Sequence, residues 1–442
     1  MMKYIVYNYM VDIVIGCQLG DEGKGKILDY ISNNYSKIKY SVICKANGGG
    51  NSGHTVKVNN FTYIFHQIPS GILNPNCICI IGSGCVVNLN DLFYEIDIIK
   101  KVNPNNKNLL NFESRLFISD RAHILLDIYK QADTFFEDLK GANSIGTTKQ
   151  GIAYCYSQQK LRSGIRICDL LIDYNSLNFK LTQLYSEYKF LFTKNMTNVI
   201  SDLTNIYLSY GNILKKNIIN LPYYINFFLK ENIKILIEGS QSIMLDIDYG
   251  LYPFCTSSTC TINGLLNGIS IPPNINCNVI YCIKSYLTRV GNGHFPTELF
   301  NDEGEKLQRI GHEFGSTTGR KRRVGWLDIF MINYSIMING PGCIFISKLD
   351  VLDTFDKIKL CINYENENNN EIKEFPSDIN KLKNYKPIYK IYDGWLTDTS
   401  KCKTFDELPN NAKIYINNIE KLLKTIVKYI GVGPERSQLI IK

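Results

Sequence analysis

Residues 11–32 constrain this chain most: the β-branched run VDIVIG ends in glycine, passes through the loop GCQLGDEGKGK (16–26) and enters the helix-like KILDYIS. An apolar strand of this kind is stable only when both its faces are covered. The glycines behind it let backbone N–H groups close on phosphate oxygens at a helix N-terminus, where the helix dipole favours anions. Further apolar runs repeat the pattern: YSVIC (40–44), CICIIG (77–82), IKILIEG (233–239), CNVIYCI (277–283) and CIFISKLD (343–350), most of them alternating with helix-like segments. The expected class is α/β, a large mainly parallel β-sheet flanked by helices with a P-loop-NTPase-like nucleotide site. Residues 171–232 are rich in Leu, Tyr and Lys and poor in glycine, which predicts a helical insertion. No linker divides the chain, so 1–442 is read as a single domain. The Asn-rich YENENNNE (364–371) is read as a solvated loop or hairpin tip.

Composition narrows the class of function. Hydrophobic residues make up 45% and charged residues 20% of the 442, which suits a globular protein and excludes a disordered one. No run approaches eighteen apolar residues, so no membrane association is expected. The first residues, MMKYIVYNYMVDIVIG, lead into the glycine loop and not into a small-residue cleavage site, which reads as a buried first strand. The 14 cysteines are scattered, with neither a zinc spacing nor a disulfide framework, so each is expected to be a free buried thiol in a reducing, cytoplasmic compartment. A net charge of +8 calls for anionic partners.

Two glycine loops carry the candidate chemistry. From Gly20 the first fits GxxxxGK, yet position 27 is Ile where a P-loop has the Ser or Thr that holds magnesium, so a metal must find another ligand. Asp21 and Glu22 beside a triphosphate would be repulsive unless they bind a cation or act as a base. The second loop, NGGGNSGHTV (47–56), places His54 at the end of a stretch almost without side chains, which favours catalytic or phosphate contact. The other histidines, at 66, 123, 294 and 312, are read as structural.

The two loops together, GDEGKGK followed by NxGHT, resemble the signature pair of adenylosuccinate synthetases. HQIPSGIL (66–73), SIGTTKQGIAYCYSQQKLRSGIR (144–166), IEGSQSIMLDIDYGLYPFCTSS (237–258), GNGHFPTELF (291–300), EFGSTTGRKRRVGWLD (313–328), SKLDVLD (347–353) and GVGPERS (431–437) are similar to family segments in the same order. The family's GTTGRGIGPAY stands here as GTTKQGIAYCY, with Lys149, Gln150, Ala153 and Tyr154 as departures that leave Thr148 and Arg162 in register. Residues 171–232 and 355–390 carry little of the likeness.

The resemblance implies phosphoryl transfer from GTP to the 6-oxygen of IMP, then displacement of that phosphate by L-aspartate, with Mg2+ required and a homodimer as the working unit. It makes Asp21 the general base, His54 the stabiliser of the transferring group and Gln241 a further catalytic residue. Asp21 and the Gly53 carbonyl would be the magnesium ligands. GTP falls to Gly20, Glu22, Gly23, Lys24, Gly25 and Lys26 of the first loop and to Gly53, His54 and Thr55 of the second. Arg322, then Lys348, Leu349 and Asp350 of SKLD, then Gly431, Val432 and Gly433 complete that set. IMP falls to Asp21, Lys24, Asn51, Gly53, His54, Thr148, Gln241, Thr256 and Arg320, with Arg162 reaching across the dimer to the 5′-phosphate. Aspartate falls to Ser316, Thr317, Thr318, Gly319, Arg320 and Arg322, where guanidinium groups suit bidentate pairing with carboxylates. Asp350 can accept from N1–H and the 2-amino group of guanine, a pair adenine lacks.

Two rivals fare worse. A P-loop GTPase switch would have Ser or Thr at position 27. A nucleic-acid binder would interleave aromatics with its basic stripe, whereas STTGRKRR (316–323) sits in a Thr/Gly loop without them, so no nucleic acid is expected.

Overall fold

The computed structural model describes residues 10–33, 41–59, 61–192, 196–314 and 321–442. Ten strands form one sheet: β1 (Val11–Gly16), β2 (Val42–Lys45), β3 (Ile78–Ile81), β4 (Leu116–Ser119), β5 (Ile218–Ile219), β6 (Ile235–Ser242), β7 (Cys277–Lys284), β8 (Cys343–Ser347), β9 (Val427–Gly431) and β10 (Leu439–Ile441). Their order is β10-β9-β8-β7-β1-β6-β2-β3-β4-β5. Every neighbouring pair is parallel except β9 with β10 at the edge. The five apolar runs singled out in the sequence are β2, β3, β6, β7 and β8.

Alternation along the strands explains why the sheet is covered on both faces. Val14, Ile43, Cys79 and Ile81 join one buried cluster, while Ile13, Ile15, Val42 and Cys44 join the cluster on the opposite face. At roughly 1.5–3 kcal/mol for each fully buried aliphatic side chain, the two faces outweigh any single polar contact in the fold.

The stretch 171–232 contains the helices Tyr174–Glu187, Thr197–Leu214 and Leu221–Lys230. It also supplies the two-residue strand β5 on the sheet edge, hydrogen-bonded to β4. A smaller sheet pairs Lys357–Glu365 with Lys386–Asp393, and the Asn-rich tip turns beyond it where Asn366 N–H donates to the Asn370 carbonyl at 2.9 Å.

The consequence for function lies at the carboxyl ends of the parallel strands. The loops at 16–26, 46–54, 239–242, 348–350 and 431–433 all leave from that edge or lie on it, which is where open α/β sheets bind ligands. The pairing of β1 with β6 shifts register between Val14 and Gly16, just where the first glycine loop begins. Among the described residues no helix is long and apolar enough to cross a membrane.

Candidate active site

The first loop is organised by its own carboxylate. Glu22 is fully buried and accepts from the N–H groups of Gln18 (3.2 Å) and Gly20 (2.9 Å), from Lys24 Nζ (2.8 Å) and from the Ser242 hydroxyl. Burial pushes the Glu22 carboxyl up, but the Lys24 ammonium and the Ser242 hydroxyl outweigh it and hold it below the usual range. Only the backbone of Glu22 is left to face a ligand. Gly23 caps helix α1 (Lys24–Ser32) at φ 83° without any side-chain cap, so the first N–H groups of the helix stay free of protein side chains. Asp21 also has positive φ, 60°, and keeps its side chain out of the core, with its carboxylate 2.7 Å from Arg322 Nε.

The GxxxxGK spacing ends at Lys26, whose ammonium donates to the carbonyls of Gly433 and Gln438 (2.8 Å for the latter). Burial lowers it to about 8, against the pull of Asp350 and Glu435. Lys26 thus ties the first loop to the loop after β9, a role that the sequence spacing does not predict.

The second loop packs directly on the first: a Cβ on Gly25 would sit 3.1 Å from the Cβ of His54. His54 is buried, and its Nδ1 pairs with Glu238, which leaves Nε2 as the nitrogen free for other contacts. Glu238 also accepts from Ser70 N–H at 2.9 Å and Ser70 Oγ at 3.1 Å. Asn51 and Gln241, singled out together for IMP, meet here: Gln241 Nε2 donates to Asn51 Oδ1 at 3.1 Å. Gln241 is steadied by Ser258 Oγ (3.2 Å), and the adjoining Ser240 is fixed by Asn47 through bonds of 2.9 and 2.6 Å. Gly53 is half-buried and Thr55 exposed on the hairpin that follows.

At the far side, Lys348 has φ 57° and directs its ammonium to the Gly311 carbonyl (2.6 Å) and to Glu313 (2.7 Å). Leu349 is buried, and Asp350 is partly buried with an Oδ1 that has no hydrogen-bond partner. Burial raises its pKa despite Lys26 nearby. An acceptor oxygen held this way is ready for a donor on a ligand. Val432 is fully buried between Gly431 and Gly433, and its N–H donates to the Gln438 carbonyl at 3.1 Å.

The segment Gly146–Gly151 is clamped by helix α2 (Asp127–Lys140). Glu137 accepts from the N–H groups of Gly146 and Thr147, and Asp133 accepts from Thr147 Oγ1 (3.0 Å) and Gly151 N–H (2.9 Å). Thr148 lies exposed between these anchors, and Thr256 is half-buried. Lys149, a departure from the family pattern, takes φ 55° and pairs with Asp138 at 2.6 Å. A lysine in the left-handed region costs about 1–2 kcal/mol, and an exposed ion pair offsets at most about 1 kcal/mol of it. Lys149→Gly is therefore expected to raise the melting temperature slightly, by about 1–4 °C, in a thermal scan. Arg162 is exposed at the C-cap of helix α3 (Ile152–Leu161), also at positive φ, next to an exposed Leu161. Ser316, Thr317, Thr318, Gly319 and Arg320 lie outside the described residues, whereas Arg322 is described and bridges Asp21 and Glu313.

Glu238 and Glu313 were not singled out in the sequence. Glu238 had a signal, an acid closing the buried strand ILIEGS; Glu313 in HEFG had none. The cysteine reading needs one correction. All 14 thiols are free, but Cys168 is exposed and four others are only half-buried.

A family model described as adenylosuccinate synthetase matches residues 13–440. The adenylosuccinate synthetases of Drosophila persimilis and Drosophila melanogaster are each 40% identical over 435 residues, covering 98% of this chain and 95% of theirs. Among solved structures, the fully ligated adenylosuccinate synthetase of Plasmodium falciparum is 40% identical with a TM-score of 0.89, covering 98% of this chain and 99% of its own. A succinoaminodeoxyadenylate synthetase from cyanophage S-2L shares the fold at 16% identity and a TM-score of 0.59. With the glycine loops, the two-sided parallel sheet and near-complete coverage all agreeing, the chain belongs to the adenylosuccinate synthetase family, whose members ligate IMP to L-aspartate at the expense of GTP.

Proposed function

We propose that the chain performs this ligation through a 6-phosphoryl-IMP intermediate. The lactam carbonyl of IMP is a poor electrophile, so phosphoryl transfer from GTP turns O6 into a leaving group that the amine of L-aspartate then displaces. Asp21 removes the N1 proton of IMP, which makes O6 nucleophilic. His54 stabilises the transferring phosphoryl group from the adjoining loop. Asn51, Gln241, Thr148 and Thr256 hold IMP, and Arg162 of a second copy reaches its phosphate in a homodimer. Aspartate is held by the basic loop that ends at Arg322. The chain works in the cytoplasm.

One observation carries this reading: the first and second glycine loops pack against each other through Gly25 and His54, with Asp21 on the outward side of the same turn. Magnesium fits the donor set. Among the described residues no group of three or more His, Cys, Asp or Glu is placed to hold a metal. One carboxylate, Asp21, and one carbonyl, Gly53, are hard oxygen donors of the kind that hold Mg2+ when substrate phosphates supply the rest. Bound there, the ion would neutralise charge on the phosphates during transfer.

GTP is read by Asp350, whose unpartnered Oδ1 supports that assignment. Asp350→Asn is expected to lower kcat/KM for GTP about 100-fold while changing the KM for IMP less than about twofold, because a site built for two donors is left mismatched. Equal effects on both substrates would remove Asp350 from guanine recognition. The defining assay mixes the protein with IMP, GTP, magnesium and aspartate and follows the absorbance of the succinylamino-purine. Omitting any one component must stop the reaction.

A further inference from the structure

Glu313 is fully buried, three residues beyond the helix Asp302–Ile310, and gathers cations from three separate segments. Lys284 Nζ, from the end of β7, lies at 3.1 Å; Lys348 Nζ, after β8, at 2.7 Å; Arg322 Nη1, at 2.9 Å. The Tyr286 hydroxyl donates to the same carboxylate. Arg322 extends the cluster through its Nε to Asp21 at 2.7 Å, and Lys284 donates to Thr288 Oγ1 at 2.8 Å. Three cations thus face two carboxylates, Glu313 and Asp21, so the group carries one positive charge in excess. Burial pushes Lys284 down to about 8, with Lys348 and Arg322 adding to the push and Glu313 opposing it. Burial pushes the Glu313 carboxyl up, but the charges of Lys284 and Lys348 and the hydrogen bonds from Lys348 and Tyr286 outweigh it and hold it far below its usual range. Such a cluster keeps its geometry only while the central carboxylate is present, because removing it would leave three neighbouring cations to repel one another.

Two of those cations belong to different ends of the site. Lys348 stands beside Asp350, where guanine is read, and Arg322 stands on Asp21, where the proton is taken. We propose that Glu313 is the positioning residue joining the two ends: it fixes Lys348 at the guanine pocket and Arg322, the described member of the aspartate-binding set, at the base. The proposal rests on the assignment of GTP to Lys348 and Asp350. Glu313 touches no substrate; it sets the separation of two groups that do, so recognition of the guanine base and readiness of the chemical end depend on a single carboxylate. IMP is held mainly by Asn51 and Gln241, whose mutual contact involves none of these groups, so its KM is expected to change least.

The test uses the full chain with Glu313→Gln, Lys348→Ala, the double variant and Asp350→Asn, measuring kcat, the KM of each substrate and the melting temperature. For Glu313→Gln, the KM values of GTP and of aspartate are expected to rise about tenfold or more while that of IMP changes less than about twofold. The double variant is expected to raise the KM of GTP no further than the worse single variant, as residues in contact are not additive. A purely structural role predicts a different result, a lower melting temperature and active fraction with all three KM values unchanged, and that result overturns the proposal. Full additivity with Lys348→Ala overturns it as well. If Asp350→Asn leaves GTP untouched, the guanine assignment fails first; if it weakens GTP while Glu313→Gln does not, only the proposal for Glu313 falls. Should the Gln variant fail to fold, Glu313→Asp keeps the charge and withdraws it by one methylene. The same split between substrates is then expected at about threefold, and three unchanged KM values overturn the proposal.

Discussion

Asp21→Asn is expected to reduce IMP-dependent phosphate release from GTP by about 1,000-fold or more, the contribution of a positioned general base at the upper end of its usual range. The substitution is a clean probe for structural reasons. Asp21 occupies positive φ, a region that asparagine tolerates as readily as aspartate, so the backbone of the loop is not strained by the change. The loop's shape depends on Glu22, whose four acceptor contacts are untouched. Arg322 loses one partner and keeps the other, Glu313. Binding of IMP and GTP, measured by equilibrium titration, is expected to stay within about threefold of the parent, since an amide still accepts a hydrogen bond where the carboxylate did. Turnover close to the parent's would remove Asp21 as the base. Unchanged turnover with a higher magnesium requirement would make it a metal ligand alone.

How much of this was readable in the sequence depends on the range of the interaction. The sheet was legible because its strands are continuous apolar runs and each carries its own signal. The two glycine loops were legible for the same reason, since a loop that must bring backbone to a ligand has a local composition. Asn51 and Gln241 came from family likeness, and their contact spans 190 positions that no spacing rule links. The inward turn of Glu22 was not legible. A carboxylate in a phosphate loop suggests a cation or a base, but the buried N–H of Gln18 and the partly buried N–H of Gly20 need an acceptor, and Glu22 is the one at hand. Lys26 likewise fits a phosphate-loop spacing, yet the carbonyls of Gly433 and Gln438, more than 400 residues away, take its ammonium. Glu313 escaped notice because what defines it is three cations contributed by three other parts of the chain. The exposed Cys168 shows the converse limit, that composition predicts the average thiol and not the individual one.

Glu238→Gln is expected to lower kcat by about 100-fold at neutral pH with little change in any KM, the size typical of losing a group that orients and charges a catalytic imidazole. His54 gives Nδ1 to Glu238, so a contact to the transferring phosphoryl group must come from Nε2. Burial lowers the pKa of His54 and prevails over the attraction of Glu238, which favours the neutral imidazole in the free protein. Burial acts on Glu238 in the opposite sense, yet the contact with His54, the charge of Lys45 and the Ser70 N–H lower its pKa and favour the carboxylate. A neutral ring with its proton on Nδ1 presents only a lone pair at Nε2, and a lone pair does not stabilise an oxyanion. In the role proposed for His54, donation requires it to gain a proton when phosphates bind, and the charge of Glu238 would favour that gain. An opposite charge in contact raises a histidine's pKa, so removing it lowers the pKa. The alkaline limb of the kcat profile should therefore move about one to two pH units toward acid in Glu238→Gln, and part of the lost rate should return at low pH. His54→Asn would lose that limb altogether. If the Gln variant keeps the parent's pH profile and loses only thermal stability, Glu238 is a packing partner of the second loop, and His54 must stabilise the phosphoryl group without gaining a proton.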